Sequence, residues 1–210
     1  MAKVEQLETD AQGRRVEVYS GTARFFHWLT VLLIAVQVPI GLYMVYRGND
    51  MVWTDAQGVE KTGLWDAVTN NLYSSHKLLG TIILVVIVLR LLYRFGAGAP
   101  SDEPTLNAGQ RIVSALNHWG LYALLIAVPV VGYIGTSAFP ALNIFGMFSL
   151  PAVVGKDPAL SKQMFELHMY GGFALLALIA LHIMAALYHY LIRRDYVLAR
   201  MMPKLLKKRA

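Results

Sequence analysis

The chain has no cysteine. That absence excludes disulfides, iron–sulfur clusters on thiolates, zinc–thiolate sites and the C-x-x-C-H motif for thioether-linked cofactors. Charge is scarce too. Only 15% of the 210 residues are Asp, Glu, Lys or Arg, where a soluble domain carries about a quarter. The first 20 residues lack the basic segment and short apolar stretch of a signal peptide, so the first apolar run is expected to be retained. Internal repeats and low-complexity segments are missing as well, and one domain is the natural count at this length.

What is present is apolar: 56% of the residues are hydrophobic. They gather into four runs, at about 25–46, 73–94, 112–133 and 165–192. A bilayer core of about 30 Å needs roughly 20 helical residues, and each run meets that length. Isolated apolar runs in lipid must satisfy their own backbone, which makes them helices. Gly96, Gly98, Pro100 and Pro104 mark the turn between runs two and three, and Pro140, Pro151 and Pro158 fall between runs three and four. Pro39 and Pro129 lie inside runs one and three, where a membrane helix tolerates a kink. The expected fold class is all-α, an integral membrane four-helix bundle. An N-terminal tail is expected at 1–20, the four-helix domain at 21–200 and a basic tail at 201–210.

The net charge of +6 does not point to nucleic acid, because of where the charge sits. From Arg193 onward come Arg193, Arg194, Arg200, Lys204, Lys207, Lys208 and Arg209 against the single acid Asp195. Such a segment suits the anionic lipid of a cytoplasmic leaflet. The N-terminal tail adds Lys3, Arg14, Arg15 and Arg24, and the connection between runs two and three has Arg94 and Arg111. The other two connections carry only Arg47 with Lys61, and Lys156 with Lys162. By the positive-inside rule both termini are cytoplasmic.

All six histidines lie within or at the edge of the spans: His27, His76, His118, His168, His182 and His189. An ionisable residue in a membrane helix is costly and marks a functional site by default. In the expected orientation His76 and His168 sit near the outer ends of helices two and four. His27 lies near the inner end of helix one, and His182 in the inward half of helix four. His168 and His182 are 14 residues apart, about 21 Å along a helix axis, and within roughly 40° of the same face. One helix therefore offers a ligand to an outer site and another to an inner site. His76 completes the outer pair and His27 the inner one, while His118 and His189 remain as alternative inner ligands. Bare zinc or copper prefers three or four clustered ligands. Two separated pairs instead match a haem iron, which needs only two axial imidazoles. Two haem b groups are thus expected. Gly80 and Gly172 each follow an outer histidine by four residues, on the same helix face, where a missing side chain lets a flat macrocycle approach. Arg90 is a candidate partner for haem propionates, with snorkelling to phosphates as the simpler role.

The motifs Arg24-Phe-Phe-His27-Trp28, His76-Lys-Leu-Leu-Gly80, His118 with Pro129-Val-Val-Gly132, His168-Met-Tyr-Gly-Gly172 and Leu181-His182-Ile-Met-Ala-Ala-Leu-Tyr-His189, closed by Arg194-Asp195 through Arg200-Met-Met-Pro203, stand in a familiar order. Over about residues 20–203 they resemble the bacterial cytochrome b561 family, di-haem quinone-linked proteins of the inner membrane. The resemblance implies that His76 and His168 hold one haem and that His27 and His182 hold the other. It implies ubiquinone as electron partner, with a histidine matching His189 in the region expected for quinone; one of His118 and His189 is expected to bind or protonate it near the inner haem. Some members are similar to superoxide oxidases, an oxidoreductase activity passing electrons from superoxide to ubiquinone. Lys77, beside His76, is the candidate for drawing that anion to the outer haem. The alternative is a membrane anchor relaying electrons between the quinone pool and a periplasmic redox protein. Segment 47–72, with two cations against four acids, would then dock a basic partner.

Overall fold

The computed structural model describes residues 6–208. Of the cations in the orientation argument, Lys3 and Arg209 lie outside the described residues, as do the side chains of Lys207 and Lys208. Four helices dominate: α1 (Gly21–Val45), α2 (Ala67–Ala97), α3 (Ala108–Ala138) and α4 (Pro158–Tyr188). A π-helical turn extends α1 over Tyr46–Asp50 and another extends α4 over His189–Arg193. All four are long and apolar enough to cross a membrane. The fold is all-α in its spans, as expected from the apolar runs.

The helices overrun those runs because each begins at a side chain that caps it. Ser20 Oγ accepts from Ala23 N, and Asp66 Oδ1 accepts from Thr69 N at 2.9 Å. Asn107 and Gln110 form a reciprocal capping box, at 2.9 and 3.1 Å. Asp157 Oδ1 accepts from Ala159 N and Leu160 N, with Pro158 at the first helical position. A 31-residue helix is about 46 Å long, against about 30 Å of hydrocarbon. Polar first turns such as Asn70-Asn71 and Gln110-Arg111 thus belong to the headgroup region. Leu32, Leu92, Leu116 and Ile192 are 61–69% exposed, a surface that only lipid covers at no cost.

The chain divides into two compact units. One comprises Met1–Trp28, Val86–Ala127 and Tyr170–Ala210; the other comprises Leu29–Val85 and Val128–Met169. Each contains a segment of all four helices.

In the first unit, what reads in sequence as two polar tails is a folded cap. Strands β1 (Gln6–Thr9) and β2 (Arg15–Val18) pair antiparallel with Leu7 opposite Glu17. The alternation in β2 buries Val16 and Val18 against Ala199 and Leu206, and Tyr19 N donates to Arg200 O. Asp10 fixes the turn, accepting from Gln12 N and Arg14 N, from Arg14 Nε at 2.7 Å and from the Tyr196 hydroxyl at 2.6 Å. The Tyr196 hydroxyl, with the Arg14 donors, lowers the Asp10 carboxyl from 3.8 to about 2. A depressed carboxylate stabilises the folded form above its unfolded value and loses that contribution as pH falls toward the folded one. Docking of the hairpin should therefore be indifferent to pH above about 4 and weaken between about 4 and 2. Tyr196→Phe should move that loss to higher pH. Hydrogen exchange of the 6–18 amides against pH reads both effects.

In the second unit, β3 (Val52–Thr54) and β4 (Glu60–Thr62) form a hairpin between α1 and α2. Arg47 is buried there, donating to Asp66 Oδ2 at 2.7 Å and to Thr69 Oγ1 at 3.0 Å. Lys61 pairs with Asp55 at 2.7 Å. A two-residue ladder, β5 (Asn143–Ile144) with β6 (Phe148–Ser149), lies between α3 and α4.

Candidate haem sites

In the second unit His76 on α2 and His168 on α4 face each other with ring centroids 5.8 Å apart and planes at 81°. Two imidazoles sharing one metal, each nitrogen about 2 Å from it, have centroids about 6 Å apart. The protein backs both rings with glycine. A Cβ on Gly41 would stand 2.9 Å from His76 Cε1, and one on Gly132 would stand 2.6 Å from His168 Nδ1. Both glycines closely follow the in-helix prolines, Pro39 and Pro129. His168 Nδ1 donates to the carbonyl of Val128 at 2.8 Å. A carbonyl only accepts, so the proton is fixed on Nδ1 and Nε2 keeps its lone pair for a metal. His76 Nδ1 and Gln37 Oε1 are buried without a hydrogen-bond partner, although Gln37 Nε2 donates to His76 O at 3.0 Å. Orphaned buried groups of this kind call for a further component. The donor set and the glycine backing fit a haem iron.

In the first unit three histidines converge. His182 on α4 lies 6.2 Å from His27 on α1, planes at 60°, and 5.2 Å from His118 on α3, planes at 80°. The wider spacing is nearer to that of two rings on one metal. His118 Nδ1 donates to Ser114 O at 2.7 Å. Arg90 on α2 reaches His27 Nδ1 at 3.0 Å and lies over the Tyr122 ring, 5.3 Å from its centroid. A guanidinium has no acceptor, so Nδ1 of His27 accepts and its proton sits on Nε2. Among the described residues no group of three or more histidines and acids is arranged to hold a bare metal ion.

His189 stands apart from the three rings. It occupies the π turn that ends α4, buried, with Nδ1 2.5 Å from Asp195 Oδ2. Lys77 donates to the carbonyls of Ala141 at 2.7 Å and Asn143 at 2.5 Å, so it ties the α3–α4 connection to α2. A Cβ on Gly80 would meet Gln37 Nε2 at 3.4 Å, and one on Gly172 would meet no protein atom within 4 Å. The glycines that back the imidazoles are Gly41, which the sequence argument did not name, and Gly132, which it named only within the Pro129-Val-Val-Gly132 motif. Their only signal is a glycine two or three residues after an in-helix proline. Gln37 and Ser114 carried no signal that reasoning along one helix could find.

The chain is similar to known proteins along most of its length. The family described as prokaryotic cytochrome b561 matches residues 18–204. "Cytochrome b561 homolog 2" of Escherichia coli (strain K12) is 26% identical over 189 residues, covering 90% of this chain and 93% of its own length. "Cytochrome b561 homolog 1" of the same organism is 29% identical over 196 residues, 89% of this chain and 97% of that one. "Probable superoxide oxidase CybB" of Yersinia pestis is 30% identical over 129 residues, 60% of this chain and 71% of its own. A family haem b needs what these helices supply, histidines facing in pairs within long apolar spans. The chain therefore belongs to the prokaryotic cytochrome b561 family and is a multi-pass membrane protein of electron transfer.

Proposed function

We propose that this protein is a di-haem cytochrome of the bacterial inner membrane that takes electrons from superoxide on the periplasmic side and passes them to ubiquinone. The observation that carries the reading is the pairing of imidazoles, His76 with His168 at 5.8 Å and His27 with His182 at 6.2 Å. Both termini lie in the cytoplasm, with the cap of β1, β2 and the C-terminal segment facing anionic lipid. A haem b held by such a pair of imidazoles would supply a one-electron iron couple. Overall, two superoxide anions each lose one electron and leave as dioxygen. One quinone gains two electrons and two protons and becomes the quinol.

The rest falls to the protein. Val128 holds His168 in the ligating tautomer. His27 would hold iron through Nε2 only with its proton on Nδ1, so holding it would release the Arg90 contact, and Arg90 would then be free to meet a propionate. His118 and His189 serve the quinone, where a titratable group is useful. Lys77 supplies positive charge one residue from His76. Its partners are neutral carbonyls, so the charge is not cancelled. Lys77→Gln should lower the rate constant for superoxide several-fold and flatten its dependence on salt, measured by stopped flow at several ionic strengths.

The second reading, a relay to a periplasmic redox protein, draws on segment 47–72. Arg47 with Asp66 and Lys61 with Asp55 satisfy each other. Asp50 and Glu60 stay exposed, without an ion-pair partner among the described residues. They would face a basic partner.

The deciding experiment is a reduced-minus-oxidised spectrum of detergent-purified protein with haem counted by pyridine haemochrome, followed by superoxide-driven quinone reduction. Two haems and turnover by the isolated protein support the proposal. Two haems with no turnover favour the relay. Colourless protein overturns both.

A further inference from the structure

Four ionisable groups of both signs are buried together where α4 ends, and the electron path uses none but His189. The π turn His189–Arg193 gives way to Arg194 in the left-handed region, φ 55°. The chain reverses there and brings Asp195 back to His189. Asp195 N donates to His189 O at 3.3 Å, and Asp195 Oδ2 meets His189 Nδ1 at 2.5 Å. The same oxygen accepts from Thr105 Oγ1 at 3.2 Å. From the α2–α3 connection comes Glu103, whose Oε2 lies 3.0 Å from Arg200 Nε. Arg200 also donates to Ser101 O. His189, Asp195, Glu103 and Arg200 are each 5–8% exposed.

Burying four such groups is expensive, and well-packed apolar residues would hold the segment at least as well. The docking is in any case provided elsewhere, by Val16, Val18, Ala199 and Leu206 and by Arg193 donating to Thr105 O. What a quinone site needs, and apolar packing cannot give, is two protons for every two electrons.

We propose that Asp195 and Glu103 make His189 a rechargeable proton donor to the quinone. The inference rests on the quinone reading above. Asp195 holds the Nδ1 proton and stabilises the imidazolium, leaving Nε2 as the nitrogen that gives its proton to a quinone oxygen and forms the O–H bond. Asp195 is thus a positioning residue. Glu103 lies beside Arg200 and within electrostatic reach of Asp195 and His189. Burial raises its carboxyl above the ordinary range, the Asp195 charge adds to this, and Arg200 and a charged His189 work against it. When His189 gives its proton away, Glu103 loses a cationic neighbour and takes up a proton from water. That proton then recharges the imidazole, and two such cycles complete one quinol. The electrons come singly, through the haems, from superoxide or another one-electron donor.

The test uses the haem-loaded protein and variants Asp195→Asn, Asp195→Glu, Thr105→Val, Glu103→Gln and His189→Gln, each first checked for wild-type haem content. Asp195→Asn should slow quinol formation about 10²-fold with a displaced pH profile, and Asp195→Glu should restore part of the rate. Glu103→Gln should slow it about tenfold. Thr105→Val removes one further hydrogen bond to the same carboxylate oxygen, while Val197 N still donates to Oδ1; it should have little effect, whereas a purely structural latch would make it resemble Asp195→Asn. The second readout is infrared difference spectroscopy during a pH titration. It should show a carboxylic acid band that Glu103→Gln abolishes and His189→Gln shifts. An unchanged rate and pH profile in Asp195→Asn, or Thr105→Val as damaging as Asp195→Asn, overturns the role of Asp195. A band that survives Glu103→Gln overturns the role of Glu103. Wild-type protein that reduces no quinone, yet keeps the band and its His189 dependence, sinks the quinone reading while the proton coupling stands.

Discussion

On the di-haem reading, Gly132→Ala should cost the protein one haem. A single methyl at this position would lie 2.6 Å from His168 Nδ1 and 2.9 Å from Cε1, well inside van der Waals contact. The ring has to move, and moving it breaks the Nδ1 bond to the Val128 carbonyl. Overpacking costs about 1–3 kcal/mol and the lost hydrogen bond about 1 kcal/mol. Their sum is about 2–4 kcal/mol, a factor of roughly 30 to 1,000 in affinity. Gly41→Ala, with its methyl 2.9 Å from His76 Cε1, should act in the same direction from the other side of the pair. Gly80→Ala meets only a side-chain amide at 3.4 Å and should be much milder. Haem-to-protein ratios after purification order the three. A Gly132→Ala protein with two haems and an unaltered spectrum would mean that His168 does not hold iron from this position.

On the same reading, His182→Ala should remove the second haem entirely, since His182 is the ring that both His27 and His118 face. The two neighbours then separate the alternatives. His27→Ala should also leave about one haem per chain, because its 6.2 Å spacing to His182 matches a shared iron. His118→Ala should keep both haems and slow quinone reduction. The opposite result, one haem in His118→Ala and two in His27→Ala, would move the ligand to α3 and leave His27 with Arg90. Low-temperature difference spectra resolve which of two overlapping bands disappears.

The parts of this molecule that follow from local chemistry could be read along the chain. Apolar runs the length of a bilayer announce helices whatever they pack against, and histidines within them announce a cofactor. Helix ends were harder, because the capping side chains Ser20, Asp66, Asn107 and Asp157 lie several residues outside the apolar runs. The hairpin of β1 and β2 shows only as the alternation of Val16 and Val18, four residues long and surrounded by charge. Glycines illustrate the limit best. Reasoning along one helix looks one turn ahead of each outer histidine and finds Gly80 and Gly172. The glycines that touch the imidazoles are on other helices, and only tertiary structure pairs Gly41 with His76 or Gly132 with His168. Asp195 escaped for a related reason. Six residues after His189 it would lie far around a regular helix, and a π turn followed by one left-handed residue brings it back.

The four capping residues also bear on how such a protein is made. Each helix has its first free amides met by a side chain at or just before its own start, so no span waits on a neighbour to quiet its polar end. A nascent chain can then release its segments into lipid one after another. Bringing the histidines together, since each pair needs rings from two helices, would then be a separate step that follows insertion of the spans.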